Sequence, residues 1–257
     1  MRPRRLAAAL GTLAAVLALT ACTGMPAPAP SPTGLNSGAD CGLPDGVRQT
    51  RFGSDIGADL GGIILGDGRT GVVLAHQNQS DLCQWLDYGV VLVQRGYRVL
   101  LFDFGGFGVS SGGSSTNAQQ VAAAAMVLRA DGATSIVLMG ASMGGTAVLI
   151  AAPTVTPPPT AVVALSAPTV FSGNALDAAP KLTMPVFYGA GDGEGSFTRM
   201  AKELYDLTPA TAKKLVYGPG TFHGVSLLDS GTSPLTLALT DFLTANAPAL
   251  PPATPTS

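Results

Sequence analysis

Apolar residues along this chain fall into short unbroken runs, separated by glycine-rich turns and by longer segments of helical character. Residues 97–102, 135–139, 161–165, 185–188 and 214–217 are short runs of this kind and predict strands; residues 118–128, 146–152, 197–207 and 235–244 predict helices. Two earlier runs, 61–65 and 71–75, are joined by Gly66-Asp67-Gly68-Arg69 and read as a hairpin. The central runs are continuous rather than alternating, so both faces of the sheet must be covered. Strand and helix taken by turns then predict an α/β fold with a mostly parallel central sheet flanked by helices. Residues 25–37 and 247–257 are rich in Pro, Ala, Ser or Thr and have no apolar period. They predict a tether before the domain and a disordered, dispensable tail after it.

Length and composition narrow the classes of function. At 257 residues and 46% hydrophobic, the chain can bury one sizeable core, predicted over residues 41–246. Charged residues make up 12% and the formal net charge is -2, which leaves no basic surface for nucleic acid. Three Cys and two His are too few for a dedicated metal site, so no metal and no other cofactor is predicted.

The first residues read as a targeting signal. Arg2, Arg4 and Arg5 form a positive head, residues 6–19 an apolar stretch, and Leu19-Thr20-Ala21-Cys22 closes it. This closing segment resembles the lipobox of bacterial lipoprotein signal peptides. The resemblance implies removal of residues 1–21 and acylation of Cys22, with residues 22–40 as lipid anchor and tether on the outer face of the cell membrane. An ordinary secretory peptide with an incidental cysteine is the alternative. Pro26 follows the apolar stretch too soon for a spanning helix. An exported chain can keep Cys41 and Cys83 oxidised, so a disulfide is expected, the other reading being two separate buried thiols.

Candidate chemistry begins at Ser142, in Met139-Gly140-Ala141-Ser142-Met143-Gly144-Gly145, behind one predicted strand and ahead of one predicted helix. A serine in that turn exposes its hydroxyl, small neighbours let the backbone double back, and the Met143 amide at the helix start can face an oxyanion. Gly108-Val109-Ser110-Ser111-Gly112 has the same spacing but leads into Gly113-Ser114-Ser115, which cannot begin a packed helix, so Ser110 reads as a turn residue. A serine nucleophile needs a histidine base, and the base needs a carboxylate. His223 lies in a glycine-rich loop beyond the last strand, whereas His76 ends an earlier strand. Asp192 follows the strand at 185–188 and is the expected acid, with Glu194 close enough to compete; Asp103 heads a glycine turn and reads as a loop-fixing residue.

Ser142, Asp192 and His223, in that order, resemble the α/β-hydrolase family, and the resemblance spans residues 47–245. Asp103-Phe104-Gly105-Gly106-Phe107-Gly108-Val109-Ser110 is similar to the family's D-x-R-G-x-G-x-S turn, with Gly105 where arginine is usual. His76-Gln77-Asn78 stands in place of the His-Gly-x oxyanion loop, with Gln77 replacing glycine. The resemblance implies a catalytic triad of Ser142, Asp192 and His223 and an oxyanion hole from the amides of Met143 and Asn78, or less readily Gln77. His76 becomes a structural neighbour of the site. The resemblance also implies an α/β-hydrolase fold with a mostly parallel sheet of about eight strands, and the short stretch between Pro168 and Met184 leaves no room for a large cap. A membrane-anchored serine hydrolase acting on a small-molecule or lipid acyl ester, thioester or amide is therefore expected. The alternatives are an acyltransferase of the cell envelope using the same triad, and a non-catalytic binding lipoprotein on the same scaffold.

Overall fold

The computed structural model describes residues 41–43, 47–228 and 232–252. The predicted signal segment, Cys22 and the tether lie outside the described residues. Among the described residues eight strands form one sheet in the order β1-β2-β4-β3-β5-β6-β7-β8. They are β1 (Arg48–Phe52), β2 (Leu60–Leu65), β3 (Thr70–Ala75), β4 (Arg98–Phe102), β5 (Ser135–Ala141), β6 (Ala161–Leu165), β7 (Val186–Gly191) and β8 (Lys213–Gly218). Only β2 runs against its neighbours, pairing antiparallel with β1 and β4; every other pairing is parallel.

Among the described residues five α-helices cover the sheet: α1 (Leu86–Gln94), α2 (Asn117–Ala130), α3 (Met143–Ala151), α4 (Ser196–Leu207) and α5 (Pro234–Asn246). Their starts are written locally. Thr116 caps α2 through a reciprocal capping box with Gln119, and Ser233 caps α5 just before Pro234. The apolar strands explain the two-sided cover. Ile136 and Leu138 of β5 pack with Val121, Leu128 and Val148 from α2 and α3, while Val137 and Met139 pack on the other face with Trp85, Leu239 and Phe242. Successive strand side chains point to opposite faces, so a strand covered on both sides must be apolar throughout.

The expected hairpin does not form. β2 and β3 are separated by β4, with Leu65 opposite Val99 and Gly71 opposite Arg98. The turn glycines serve a different purpose: a Cβ on Gly68 would overlap the Gly96 carbonyl, and one on Gly66 would meet the Tyr97 carbonyl at 2.5 Å. They let the segment entering β4 pass close by. β1, with its polar Arg48-Gln49-Thr50-Arg51-Phe52 sequence, is an edge strand with little burial and so carries no apolar signal.

The domain also runs past the expected boundary at residue 246. The Ala247 carbonyl accepts from the Tyr97 hydroxyl at 3.0 Å, the Pro248 carbonyl from Thr70 Oγ1 at 2.7 Å, and the Leu250 carbonyl from the Arg69 amide at 2.8 Å. Prolines donate no amide bond but their carbonyls accept, so a Pro-rich segment can dock without secondary structure. Between β6 and β7 the chain makes the isolated Val170–Asn174 bridge and the short 3-10 turn Ala179–Lys181, and the described residues form no large cap over the carboxyl edge of the sheet. Among the described residues no helix is long and apolar enough to cross a membrane.

Candidate active site

Ser142 sits between β5 and α3 at φ 50 and ψ -116. A side-chain-bearing residue is seldom found there, and the surroundings hold it in place. Its amide donates to the Leu165 carbonyl at 2.8 Å, and its own carbonyl accepts from Thr146 at 3.0 Å. A Cβ on Gly140 would overlap the Gly144 carbonyl, and one on Gly144 would overlap the Ala75 carbonyl. These two glycines are what the tight strand-to-helix turn requires. Met143 is the first residue of α3, so its amide has no acceptor within the helix.

His223 lies beyond β8, half-buried, with Phe197 edge-on to its ring at 4.6 Å between centroids. Its Nδ1 contacts Glu194 Oε1 at 2.6 Å, and the Glu194 side chain is only 3% exposed. Glu194 Oε2 accepts from Ser166 Oγ at 2.8 Å and from the Gly191 amide at 2.5 Å. A carboxylate so placed holds the imidazole with Nε2 directed away from the acid. The next residue, Gly224, lies against the serine turn: a Cβ there would stand 3.1 Å from Ala141 Cβ.

The expected acid is thereby corrected. Asp192 does not reach the histidine; its Oδ1 accepts from the Gly220 amide at 2.7 Å, and its amide donates to the Gly218 carbonyl at 2.8 Å. β7 extends to Gly191, which sets Asp192 at the strand end, facing the loop that leaves β8. The turn closed by the Glu194 amide on the Gly191 carbonyl, at 3.2 Å, folds Glu194 back under the sheet edge, and the longer side chain spans to His223. Asp192 is a turn-fixing residue of the kind common beside glycine.

Other sequence candidates fall where their chemistry suits them. Ser110 is buried and its Oγ accepts from the Gly61 amide at 2.8 Å. Asp103, fully buried, accepts from the amides of Leu82 at 2.8 Å and Val109 at 3.2 Å. His76 is buried, accepts from the Phe104 amide at Nε2 (2.9 Å) and faces the Gln77 carbonyl with Nδ1 (2.6 Å). That pair of contacts fits only the neutral ring protonated on Nδ1. Burial pushes its pKa down to about 4, against the opposing pull of the Gln77 carbonyl. His76 is therefore a neutral brace between two loops.

In the loop after β3, the Gln77 amide donates to Gln84 Oε1 at 3.0 Å, and Asn78 stands exposed at the turn. Gln77 Oε1 accepts from the Val225 amide at 2.9 Å, which ties this loop to the one bearing His223. Cys41 and Cys83 form a disulfide with Cα atoms 5.3 Å apart, joining the chain entering the domain to the 3-10 turn Leu82–Trp85. The sequence offers Glu194 only as the competitor of Asp192 for the histidine, and it does not single out Ser166. The one available signal for Ser166 was its place as a polar residue directly after an apolar strand, on the edge where Ser142 emerges.

A family model described as alpha/beta hydrolase fold matches residues 72–192. No curated protein matches the sequence. Among solved structures, an esterase of Pyrococcus furiosus is similar at 17% identity, covering 83% of this chain and 94% of that one, with a TM-score of 0.65. An enol-lactonase of Burkholderia xenovorans is similar at 15% identity, covering 75% and 99%, with a TM-score of 0.62. A monoacylglycerol lipase of Paleococcus ferrophilus is similar at 15% identity, covering 78% and 99%, with a TM-score of 0.62. Strand order, serine turn, family-model match and these likenesses agree that this chain has the α/β-hydrolase fold.

Proposed function

We propose that this protein is a serine hydrolase of the α/β-hydrolase family that cleaves acyl esters through Ser142, His223 and Glu194. The observation that carries the reading is the buried Glu194 carboxylate fixed on His223 Nδ1 at 2.6 Å, on the edge of the sheet where the strained Ser142 turn emerges. In this reading Nε2 of His223 takes the proton from Ser142 Oγ as that oxygen bonds the acyl carbon. The carbonyl oxygen becomes an oxyanion held by the Met143 amide and by an amide of the loop after β3. Gln77 gives its amide to Gln84, which leaves Asn78 as the second donor in this proposal. The tetrahedral species collapses and the alcohol leaves with the proton from His223; the same ring then deprotonates a water as its oxygen bonds the acyl carbon, and on the second collapse it returns that proton to Ser142 Oγ as the acid leaves. The imidazolium formed at each step is stabilised by the Glu194 carboxylate on Nδ1.

Ester substrates are favoured because two of the similar structures are named an esterase and a monoacylglycerol lipase. With no large cap over the edge, the substrate's acyl group is expected to lie in an open site. The lipobox-like sequence ending at Cys22 supports a lipid anchor on the outer face of the membrane. Fractionation of cells carrying wild type or Cys22→Ser tests that part alone: the wild type is expected with membranes and the variant in the soluble fraction.

A fluorophosphonate probe with peptide mapping tests the chemistry. Labelling is expected on Ser142 and lost in Ser142→Ala, whereas label retained in that variant refutes the nucleophile. Glu194→Gln is expected to lower kcat by roughly two to four orders of magnitude, and Asp192→Asn by only a few-fold. The opposite ranking would return the acid role to Asp192.

A further inference from the structure

Two consecutive amides just past His223 are gripped by side chains from different parts of the sheet edge. The Gly224 amide donates to Ser166 Oγ at 2.9 Å, and the Val225 amide donates to Gln77 Oε1 at 2.9 Å. Ser166 follows β6 directly, is fully buried, and is held at φ 47, where only glycine sits without strain. Its amide is fixed on the Gly189 carbonyl at 2.7 Å. The hydroxyl has one proton to give, and Glu194 Oε2 at 2.8 Å can only accept it, while the Gly224 amide can only donate. The direction of both bonds is thus fixed without choice. A single oxygen links the carboxylate that holds the histidine to the backbone that carries it.

We propose that Ser166 is a positioning residue for the Glu194–His223 pair, with Gln77 as the second point that fixes the histidine loop. This rests on the hydrolase reading above, and it deepens that reading by assigning residues that touch no substrate. Glu194 Oε1 is the oxygen that meets His223 Nδ1, so rotation of the carboxylate is what would break the pair. Oε2 is held from two sides, by Ser166 and by the Gly191 amide. Removing the hydroxyl leaves one of those holds, and it also leaves the buried Gly224 amide without its acceptor. Gln77 bonds Gln84 and Val225 and makes no hydrogen bond to Glu194, so its loss loosens the loop but not the acid. It occupies the place where the resembled family has glycine, and a Cβ on Gly224 would overlap its Oε1. The glycine at 224 and the glutamine at 77 are therefore matched to each other.

The test uses Ser166→Gly, which suits the positive φ and removes the hydroxyl, together with Ser166→Ala, which removes the hydroxyl and keeps the backbone preference of an L-residue. Both are expected to lower kcat for a short-chain aryl ester by about 10- to 100-fold while KM stays within about twofold, as for a misaligned reacting group. The far-downfield NMR resonance of the His223 Nδ1 proton is expected to broaden or vanish in both. Gln77→Ala is expected to lower kcat by less than about tenfold and to keep that resonance. Thr208→Val is the structural control: Thr208 is buried, and its hydroxyl bonds Tyr188 at 2.6 Å and the Leu204 carbonyl at 2.9 Å. It should lose stability with kcat intact. Near-wild-type kcat and an unchanged proton resonance in the folded Ser166 variants would overturn the positioning role. Turnover retained by Ser142→Ala in the same assay would instead overturn the hydrolase reading, so the two failures are told apart.

Discussion

His76 and His223 both leave strands at the same edge of the sheet, yet their surroundings suit opposite uses. His223 is partly open and faces a carboxylate; His76 is sealed among Phe104 and Phe107, with ring centroids at 5.1 and 5.2 Å. Protonating His76 would set an N–H against the Phe104 amide that it now accepts from. Its pKa falls from 6.5 to about 4 on folding, so between those values the unfolded chain binds the extra proton. Stability is therefore full above about pH 6.5 and declines as pH falls toward 4, by roughly 3 kcal/mol in all. Urea unfolding of wild type and His76→Asn across pH 7 to about 4.5 should show this part of the slope only in wild type. Parallel pH dependence in the two proteins would mean that His76 is not buried as a neutral ring. At the same scale, Asp192 and Glu194 differ by two positions, and no local rule separates them. Both are acids beside glycine after a strand, and only the turn back to Gly191 decides which one meets the histidine.

Among the elements, the β5–Ser142–α3 turn is the one that sequence describes best, because its requirements are steric and local. Strand backbone must reverse into a helix within a residue, and small residues are the only ones that fit. Gly144 packs against the Ala75 and His76 carbonyls of β3's end, where a Cβ has no space. Gly144→Ala is accordingly expected to lose about 3 kcal/mol and to displace Ser142. Gly106→Ala is the comparison: Gly106 has φ 88 but nothing within 4 Å of an added Cβ, so only the backbone penalty of about 1–2 kcal/mol applies. Denaturant midpoints measured at equal m-values separate the two. Equal losses would show that conformation, not space, governs the serine turn. The hairpin expected from 61–75 failed for a complementary reason. Two apolar runs around a glycine turn satisfy the hairpin pattern, but the pattern says nothing about a third strand, β4, that pairs with both.

Across the whole molecule, long-range ties hold the segments that flank the outer strands and helices, at Cys41 and at residues 247–250, against the domain. The Cys41–Cys83 bond closes a separation of 42 residues, which corresponds to about 2–4 kcal/mol from restricting the unfolded chain. It also anchors the turn whose Gln84 receives the Gln77 amide. The double variant Cys41→Ser/Cys83→Ser should therefore unfold at lower temperature than wild type, and reductant should lower the wild-type midpoint toward it. A wild-type midpoint indifferent to reductant would contradict that contribution. At the other end, the carbonyls of residues 247–250 close on β3, on its approach turn and on Tyr97. Composition alone marks that segment as a tail. Its docking depends on donors nearly 180 positions away in the chain, as with Thr70 and Pro248, separated by 178.

The layers of this protein and its serine turn are already written in the order of residues along the chain. Continuous apolar strands require cover on both faces, and the small residues around Ser142 permit only a sharp strand-to-helix turn, so both are consequences of neighbours in the chain. The same order also singled out His223, since the other histidine ends an early strand. Tertiary structure alone decided the strand order that splits β2 from β3, the choice of Glu194 over Asp192, the Ser166 bridge and the Gln77 contact with Val225. Each of these pairs groups that are far apart in the chain, or turns one of two equivalent side chains inward. Such choices are settled by which buried donors and acceptors find partners when the sheet closes, and no local pattern encodes that.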